Sequence, residues 1–410
     1  MIISGFTPYQ KRILAILTLL NFLNYVDRQI AYALVPLIKT EFVLSYFEVA
    51  LLGTAFSLVH SLGTVPLALL ADRLSRRKVI GYAVFFWSLA TFVSGLASSF
   101  RSLLQVRAMV GLGEAAYAPA ATALITGSFV RELRARVQGV FESGMFIGGA
   151  VGLGLGGILA EWFGWRAAFF VVGVPGLFLT FGLWRLPDPP AGSSPRPVAA
   201  RHLLRIPAYV TVLIGGWFIT FAAYSYIFWG MEFVHRYKGF GLQEAGMILG
   251  SSLTVAGVLG ILAGGALADR FARQFVWGRV SVIALGEFLG IPLLFQALHT
   301  SSKGTFLALF FLACFFMSWY HGPLTAVIHD LTPASAHSTA QGLYYFFVNF
   351  FAVTWAPPLL GRIADRYDLL TGMHVAVGAQ AIGAVCFLIV AWLIHCRQAE
   401  AARGADGGSV

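Results

Sequence analysis

Apolar residues run along this chain in long unbroken stretches, not in the alternation of a half-buried strand or the single stripe of a surface helix. The stretches fall at about 13–35, 47–71, 79–97, 101–127, 136–160, 166–184, 208–231, 243–268, 277–298, 304–328, 338–360 and 372–395. Each is long enough to cross a hydrocarbon core of about 30 Å as a helix. Short loops separate them, except across 186–207, which contains PDPPAGSSPRP. Those Pro, Gly, Ser and Arg residues cannot form a span, so the segment reads as a linker. The pattern predicts an all-α integral membrane protein with twelve transmembrane helices in two six-helix bundles. The expected divisions are 1–185 for the first bundle, 186–207 for the linker, 208–396 for the second bundle and 397–410 for a tail.

Composition agrees with the pattern. Of 410 residues, 11% are charged and 58% hydrophobic, against about 25% charged in an ordinary soluble domain. There are too few polar residues to cover a soluble core of that size. The net charge of +10 raises the question of nucleic acid, which would need basic clusters on one solvated face. The basic residues instead follow the loops. With the N-terminus in the cytoplasm, Lys11, Arg12, Arg73, Arg76, Arg77, Lys78, the 131–136 loop, Arg185, the linker, Arg270, Arg273, Arg279, Arg397 and Arg403 fall on that side, 18 of the 28 Lys and Arg. Eight lie opposite, and Arg28 and Arg107 stay inside spans. The positive-inside rule therefore places both termini, the linker and the tail in the cytoplasm, with the protein in the cell's inner membrane. Nucleic acid drops out as a partner. Cys314, Cys386 and Cys396 show neither a disulfide framework nor metal spacing, and no cofactor is expected. Lys11 and Arg12 precede an apolar run without a small-residue cleavage site, so the first helix is expected to be retained.

The two halves repeat. LALLADRLSRRK around Asp72 ends the second span, and GGALADRFARQ around Asp269 ends the eighth. The fifth span ends in GGILAEWFGWR around Glu161 and the eleventh in LLGRIADRYD around Asp365. The offsets, 269 − 72 = 197 and 365 − 161 = 204, agree on a repeat of about 200 residues, the parallel-half symmetry of many secondary transporters.

With these residues in view, the chain resembles the major facilitator superfamily. The family's loop signature, G-x-x-x-D-R-x-G-R-R, has its counterpart in Ala68, Asp72, Arg73, Ser75, Arg76 and Arg77, with both glycines replaced. The second copy keeps Gly265, Asp269 and Arg270. NFLNYVDRQIAYALVP in helix one, RAMVGLGEAAYAPAATALITGSF in helix four and GWRAAFFVVGVPGL after helix five are similar to the spinster-like branch. That resemblance implies the major facilitator fold and transport of lysolipids, sphingolipids or related amphipaths, with proton coupling in bacterial members. The N-Y-x-D-R element is also similar to that of proton/organic-anion symporters in the same superfamily. In the family, the loop acid contacts a helix N-terminus across the two halves, so Asp72, with Arg73 and Arg77, is expected to form a cytoplasmic gate.

Charges inside the bilayer carry the candidate chemistry, because each costs roughly 2.5–3.5 kcal/mol at mid-span on insertion scales. Helix one holds Asp27 and Arg28, and helix four holds Arg107 and Glu114. Arg107 and Glu114 are two turns apart on one face. Asp27 and Arg107 fall at similar depth by helical rise, so they are expected to pair. A carboxylate that alternates between protonated and arginine-paired states couples proton release to a conformational change. Asp27 and Glu114 are the expected proton sites, and Arg28 and Arg107 their partners or headgroup ligands; the static alternative is a pair of structural salt bridges. Glu142, just above the cytoplasmic start of helix five, is expected at the gate. Tyr117, Tyr320, His321 and Asn349 are candidate cavity residues, with helix packing as the alternative reading. Glu232 is expected to be solvated, His60 to be structural or solvated, and Glu287 has no evident partner. The glycine run from Gly148 to Gly157 is expected to serve close helix packing.

No catalytic constellation or phosphate-binding loop is visible, so an enzyme is not expected and uphill transport must draw on an ion gradient. The expected function is proton-coupled transport of an amphipathic, lipid-like molecule by alternating access, with a proton/organic-anion symporter as the alternative. A monomer in the lipid bilayer is expected, with substrate and protons as its ligands.

Overall fold

The computed structural model describes residues 6–73, 75–129, 131–184, 200–333 and 336–406. Most of the linker, 185–199, lies outside them. Every regular element among the described residues is helical: α1 Pro8–Ala33, α2 Val35–Glu41, α3 Tyr46–Arg73, α4 Arg76–Ser94, α5 Phe100–Ala115, α6 Tyr117–Ser128, α7 Arg131–Trp184, α8 Ala200–Leu203, α9 Pro207–Lys238, α10 Leu242–Ser251, α11 Gly257–Ala272, α12 Gly278–His299, α13 Lys303–Met317, α14 His321–Leu331, α15 His337–Val348, α16 Ala356–Arg366 and α17 Leu369–Asp406. Eight stretches among them are long and apolar enough to cross a membrane.

The helices follow the apolar runs, with breaks that the runs do not announce. The 101–127 run divides at Ala116 into α5 and α6, and 304–328 divides at a single 3-10 turn, Ser318–Tyr320. Five-residue π-helical turns interrupt the later helices at Ser252–Ala256 and Asn349–Val353. The runs 136–160 and 166–184 are two helices in close succession, given the single label α7 and broken where Gly164 takes φ 78°. Only glycine adopts that conformation without strain. Residues 397–406, expected as a tail, continue α17. Side-chain caps fix several starts: Ser99 accepts from the Ser102 amide ahead of α5, and Ser302 from the Thr305 amide ahead of α13.

The chain forms two compact units. The first comprises 1–194 with 227–254 and 357–365; the second comprises 195–226, 255–356 and 366–410. The grouping does not follow the two sequence halves, because parts of α9, α10 and α16 lie in the first unit. One core of the first unit gathers Ile13, Leu17 and Leu20 of α1, Trp87 of α4, Tyr117 of α6 and Phe141 of α7. The second unit packs Tyr209, Ile283, Tyr344 and Phe387.

Within the first unit, two acids close the starts of helices from the other sequence half. Asp365 of α16 accepts from the backbone amides of Tyr46 (2.7 Å) and Phe47 (2.8 Å), in the first turn of α3. Glu161 of α7 accepts from the Gln243 amide (2.8 Å), in the first turn of α10. Both are favourable places for an anion, at the positive end of a helix. Asp365 and Glu161 are the landmarks of the internal repeat, and their targets repeat as well, since 243 − 46 = 197. Arg236 adds a bond to the Tyr46 hydroxyl at 2.8 Å.

Candidate functional site

Small residues let α1 approach α7 closely enough to set the site. A Cβ on Gly148 would stand 2.3 Å from the Phe22 carbonyl oxygen, and one on Gly152 would stand 2.8 Å from that of Val26. No side chain fits there, so the glycine run does serve close packing. The contact fixes the rotation of α1 just before Asp27 and Arg28. On the other side, the Phe56 carbonyl of α3 lies 2.3 Å from where Gly111 of α5 would carry a Cβ. That approach brings α3 onto α5 between Arg107 and Glu114.

Two acid–arginine pairs result. Arg107 Nη1 donates to Asp27 Oδ1 at 3.0 Å, and the Thr91 hydroxyl of α4 donates to Asp27 Oδ2. Both members of this pair are buried. From the next position on α1, Arg28 Nε donates to Glu114 Oε2 at 2.6 Å. Arg28 Nη2 also lies 3.0 Å from His60 Nε2. Arginine has only donors, so His60 must offer Nε2 as an acceptor and carry its proton on Nδ1. Glu114 is buried, whereas the Arg28 side chain keeps 18% of its surface exposed.

Phe56 joins the pairs. Its ring lies 5.2 Å from the Arg28 guanidinium carbon and 5.5 Å from that of Arg107, both within cation–π range. It also stacks on His60, with centroids 5.7 Å apart. The site is therefore two neutralised pairs flanking one aromatic ring, inside the first unit. Such an arrangement can exchange protons at carboxylates whose arginines can swing away, or accept an anionic group at Arg28. Among the described residues no cluster of His, Cys, Asp or Glu could hold a metal ion. Outside the spans, hydrogen bonds from Arg166 and Trp165 hold the Glu41 carboxyl below its ordinary range.

The other expected positions fall elsewhere. The side chains of Asp72 and Arg73 lie outside the described residues. Arg77 Nη1 donates to the Trp184 carbonyl at the end of α7, at 2.6 Å. Glu142 Oε1 accepts from Gln138, one turn back on the same helix, at 2.9 Å. Tyr117 is a core residue: it is buried against Trp87 and donates to the Leu17 carbonyl. Tyr320 is buried too and shares a hydroxyl–hydroxyl bond with Tyr344. His321 is exposed. Asn349, half-buried, donates to the Tyr345 carbonyl at the π turn. Glu232, expected to be solvated, is buried and paired with Arg236 at 3.4 Å. Sequence reasoning set His60 aside as structural or solvated, and missed Thr91 and Phe56. The signal for His60 was a polar residue in the middle of an apolar helix.

Comparison with known proteins agrees with this architecture. The family description "Major Facilitator Superfamily" matches residues 17–357. An "MFS-type efflux pump" of Mycolicibacterium smegmatis is 29% identical over 386 residues, covering 92% of this chain and 88% of that one. The "probable sphingolipid transporter spinster homolog 2" of Arabidopsis thaliana is 26% identical, covering 88% and 82%. The "probable galactarate/D-glucarate transporter GarP" of Escherichia coli is 25% identical, covering 92% and 94%. Among solved structures, a bacterial homolog of the human lysosomal transporter spinster, inward-facing and occupied, superposes with a TM-score of 0.86 at 24% identity, covering 94% and 97%. The protein is a multi-pass membrane transporter belonging to the Major Facilitator Superfamily, with spinster homologs among its relatives.

Proposed function

We propose that this transporter couples protons to the movement of an amphipathic, lipid-like molecule, exporting it or flipping it between leaflets by alternating access. It works as a monomer in the inner membrane, with both termini cytoplasmic. The observation that carries proton coupling is the pair of buried carboxylates, Asp27 and Glu114, each held by its own arginine. Protonating Glu114 removes the charge that holds Arg28, leaving the guanidinium to His60 or to an anionic headgroup. Protonating Asp27 frees Arg107 in the same way while Thr91 keeps a hydrogen-bond partner. Asp72, Arg73 and Arg77 belong to the cytoplasmic gate in this reading, with Glu142 nearby. Tyr320, His321 and Asn349 remain candidate polar groups of the pathway; the buried Tyr117 supports α1 from behind.

The lipid-like substrate rests on the spinster relatives. A second reading, symport of an organic anion such as a sugar acid, is favoured by the exposed edge of Arg28 and by the Escherichia coli relative. Purified protein in liposomes under a pH gradient separates the two. Lysolipid movement that follows the gradient supports the first reading, and acid-driven sugar-acid uptake with no lysolipid response overturns it. Asp27→Asn and Glu114→Gln should each abolish gradient-driven accumulation in the protein that inserts and folds, with Asp27→Asn also lowering its melting temperature because Arg107 loses its carboxylate. Normal accumulation by both variants would remove the proton role from these residues.

A further inference from the structure

Asp27, Glu114 and Glu232 are buried beside arginines, whereas a fourth buried carboxylate, Glu287, stands apart from all three pairs. It lies in the middle of α12, in the second unit, and accepts from Gln380 Nε2 of α17 at 2.6 Å. Three buried oxygens there have no hydrogen-bond partner: Glu287 Oε1, Gln380 Oε1 and the Tyr226 hydroxyl of α9. Glu287 acts electrostatically on Tyr226, and no Lys, Arg or His among the described residues acts on Glu287. The 3-10 turn after α13 places the Trp319 side chain against Gly286. The acids of α11 and α14, Asp269 and Asp330, are drawn to Arg279, eight residues and about 12 Å back along α12, and Arg270 follows Asp269 in the last turn of α11.

We propose that Glu287 is a proton-binding site of its own, occupied as the neutral carboxylic acid and paired with the Gln380 amide. An ionised carboxylate only accepts, and the glutamine carbonyl only accepts. With Glu287 ionised, the pair has one hydrogen bond and two buried oxygens without donors, around a charge that no cation offsets. Such a charge is expensive inside a membrane bundle. One proton taken from water onto Glu287 Oε1 cancels the charge and supplies the donor that Gln380 Oε1 lacks. Asp27 and Glu114 differ in having arginines that can displace a proton. Glu287 has none, so its proton stays. This site does not depend on what the transporter carries.

Infrared spectroscopy of the full-length protein in lipid tests it. The wild type should show a protonated-carboxyl stretch at neutral pH that disappears in Glu287→Gln. In Gln380→Leu the same band should persist and move to higher frequency, because the acid's carbonyl loses its N–H donor. This second variant decides the question even where Glu287→Gln does not fold. A protonated-carboxyl region unchanged by either variant would overturn the proposal, as would loss of an ionised-carboxylate band in Glu287→Gln. Sodium chloride is the control for a metal cation: a sodium-dependent rise in the melting temperature of wild type that Glu287→Gln abolishes would make this a sodium site instead.

Discussion

Asp27 and Arg107 are almost free of solvent, and neither is affordable there without the other. Removing one partner of a buried pair typically costs about 3–5 kcal/mol, because a bare charge remains; replacing both by apolar or neutral groups is often close to neutral. Arg107→Met should therefore lower the thermal midpoint sharply, and Asp27→Asn added to it should restore much of the loss. Melting of the purified single and double variants checks this; equal destabilisation of both would mean that the pair is not the unit of stability. The pairing was legible in the sequence because a helix is a ruler: rise and register put both residues at one depth. Glu232 shows the limit of that ruler. Its place near a helix end was readable, but not that Arg236 and the surrounding chain would cover it. His60 was set aside and Thr91 missed for a related reason. Position along an axis is written in the sequence, whereas rotation about the axis depends on the neighbours.

At the scale of the helix, the glycine face of α7 does the positioning. A side chain at Gly148 must push α1 away from a 2.3 Å approach, and overpacking of that kind costs typically 1–3 kcal/mol. Gly148→Val should thus reduce stability, and it should also reduce transport in the molecules that still fold, because Asp27 and Arg28 move with α1. A variant with normal transport would separate the packing from the site. Gly154, whose Cβ would meet nothing within 4 Å, is the natural control: Gly154→Ala should be tolerated. The glycine run was visible in the sequence as a packing signal, but which of its members touch α1 was not. The breaks were equally hidden. Nothing in the apolar pattern distinguishes a run that continues past Ala116 from one that pauses there, since a helix, a π turn and a 3-10 turn bury the same residues. Gly164 is the exception: it stands between two runs and does divide them, because backbone at φ 78° cannot continue a helix.

For the whole molecule, the coarse features were the most legible. Span length, loop charge and the 200-residue repeat all follow from the bilayer as a solvent, which imposes its thickness and its charge asymmetry on any chain that crosses it. The grouping into compact units was not legible, because it depends on which helix ends meet. Those meetings are where the repeat becomes structure. One duplication placed an acid just before the Gly164 break of α7 and another at the end of α16, and each caps a helix start that the same duplication copied. The chain consequently carries its own replicate experiment. Asp365→Ala should speed hydrogen exchange at the amides of Tyr46 and Phe47 and leave Gln243 unchanged, whereas Glu161→Ala should do the reverse. Acceleration at all three amides in either variant would mean that the two contacts open as one. Independent responses would mean that the two capped helix starts unfasten separately, and that natural variation can tune each without disturbing its twin.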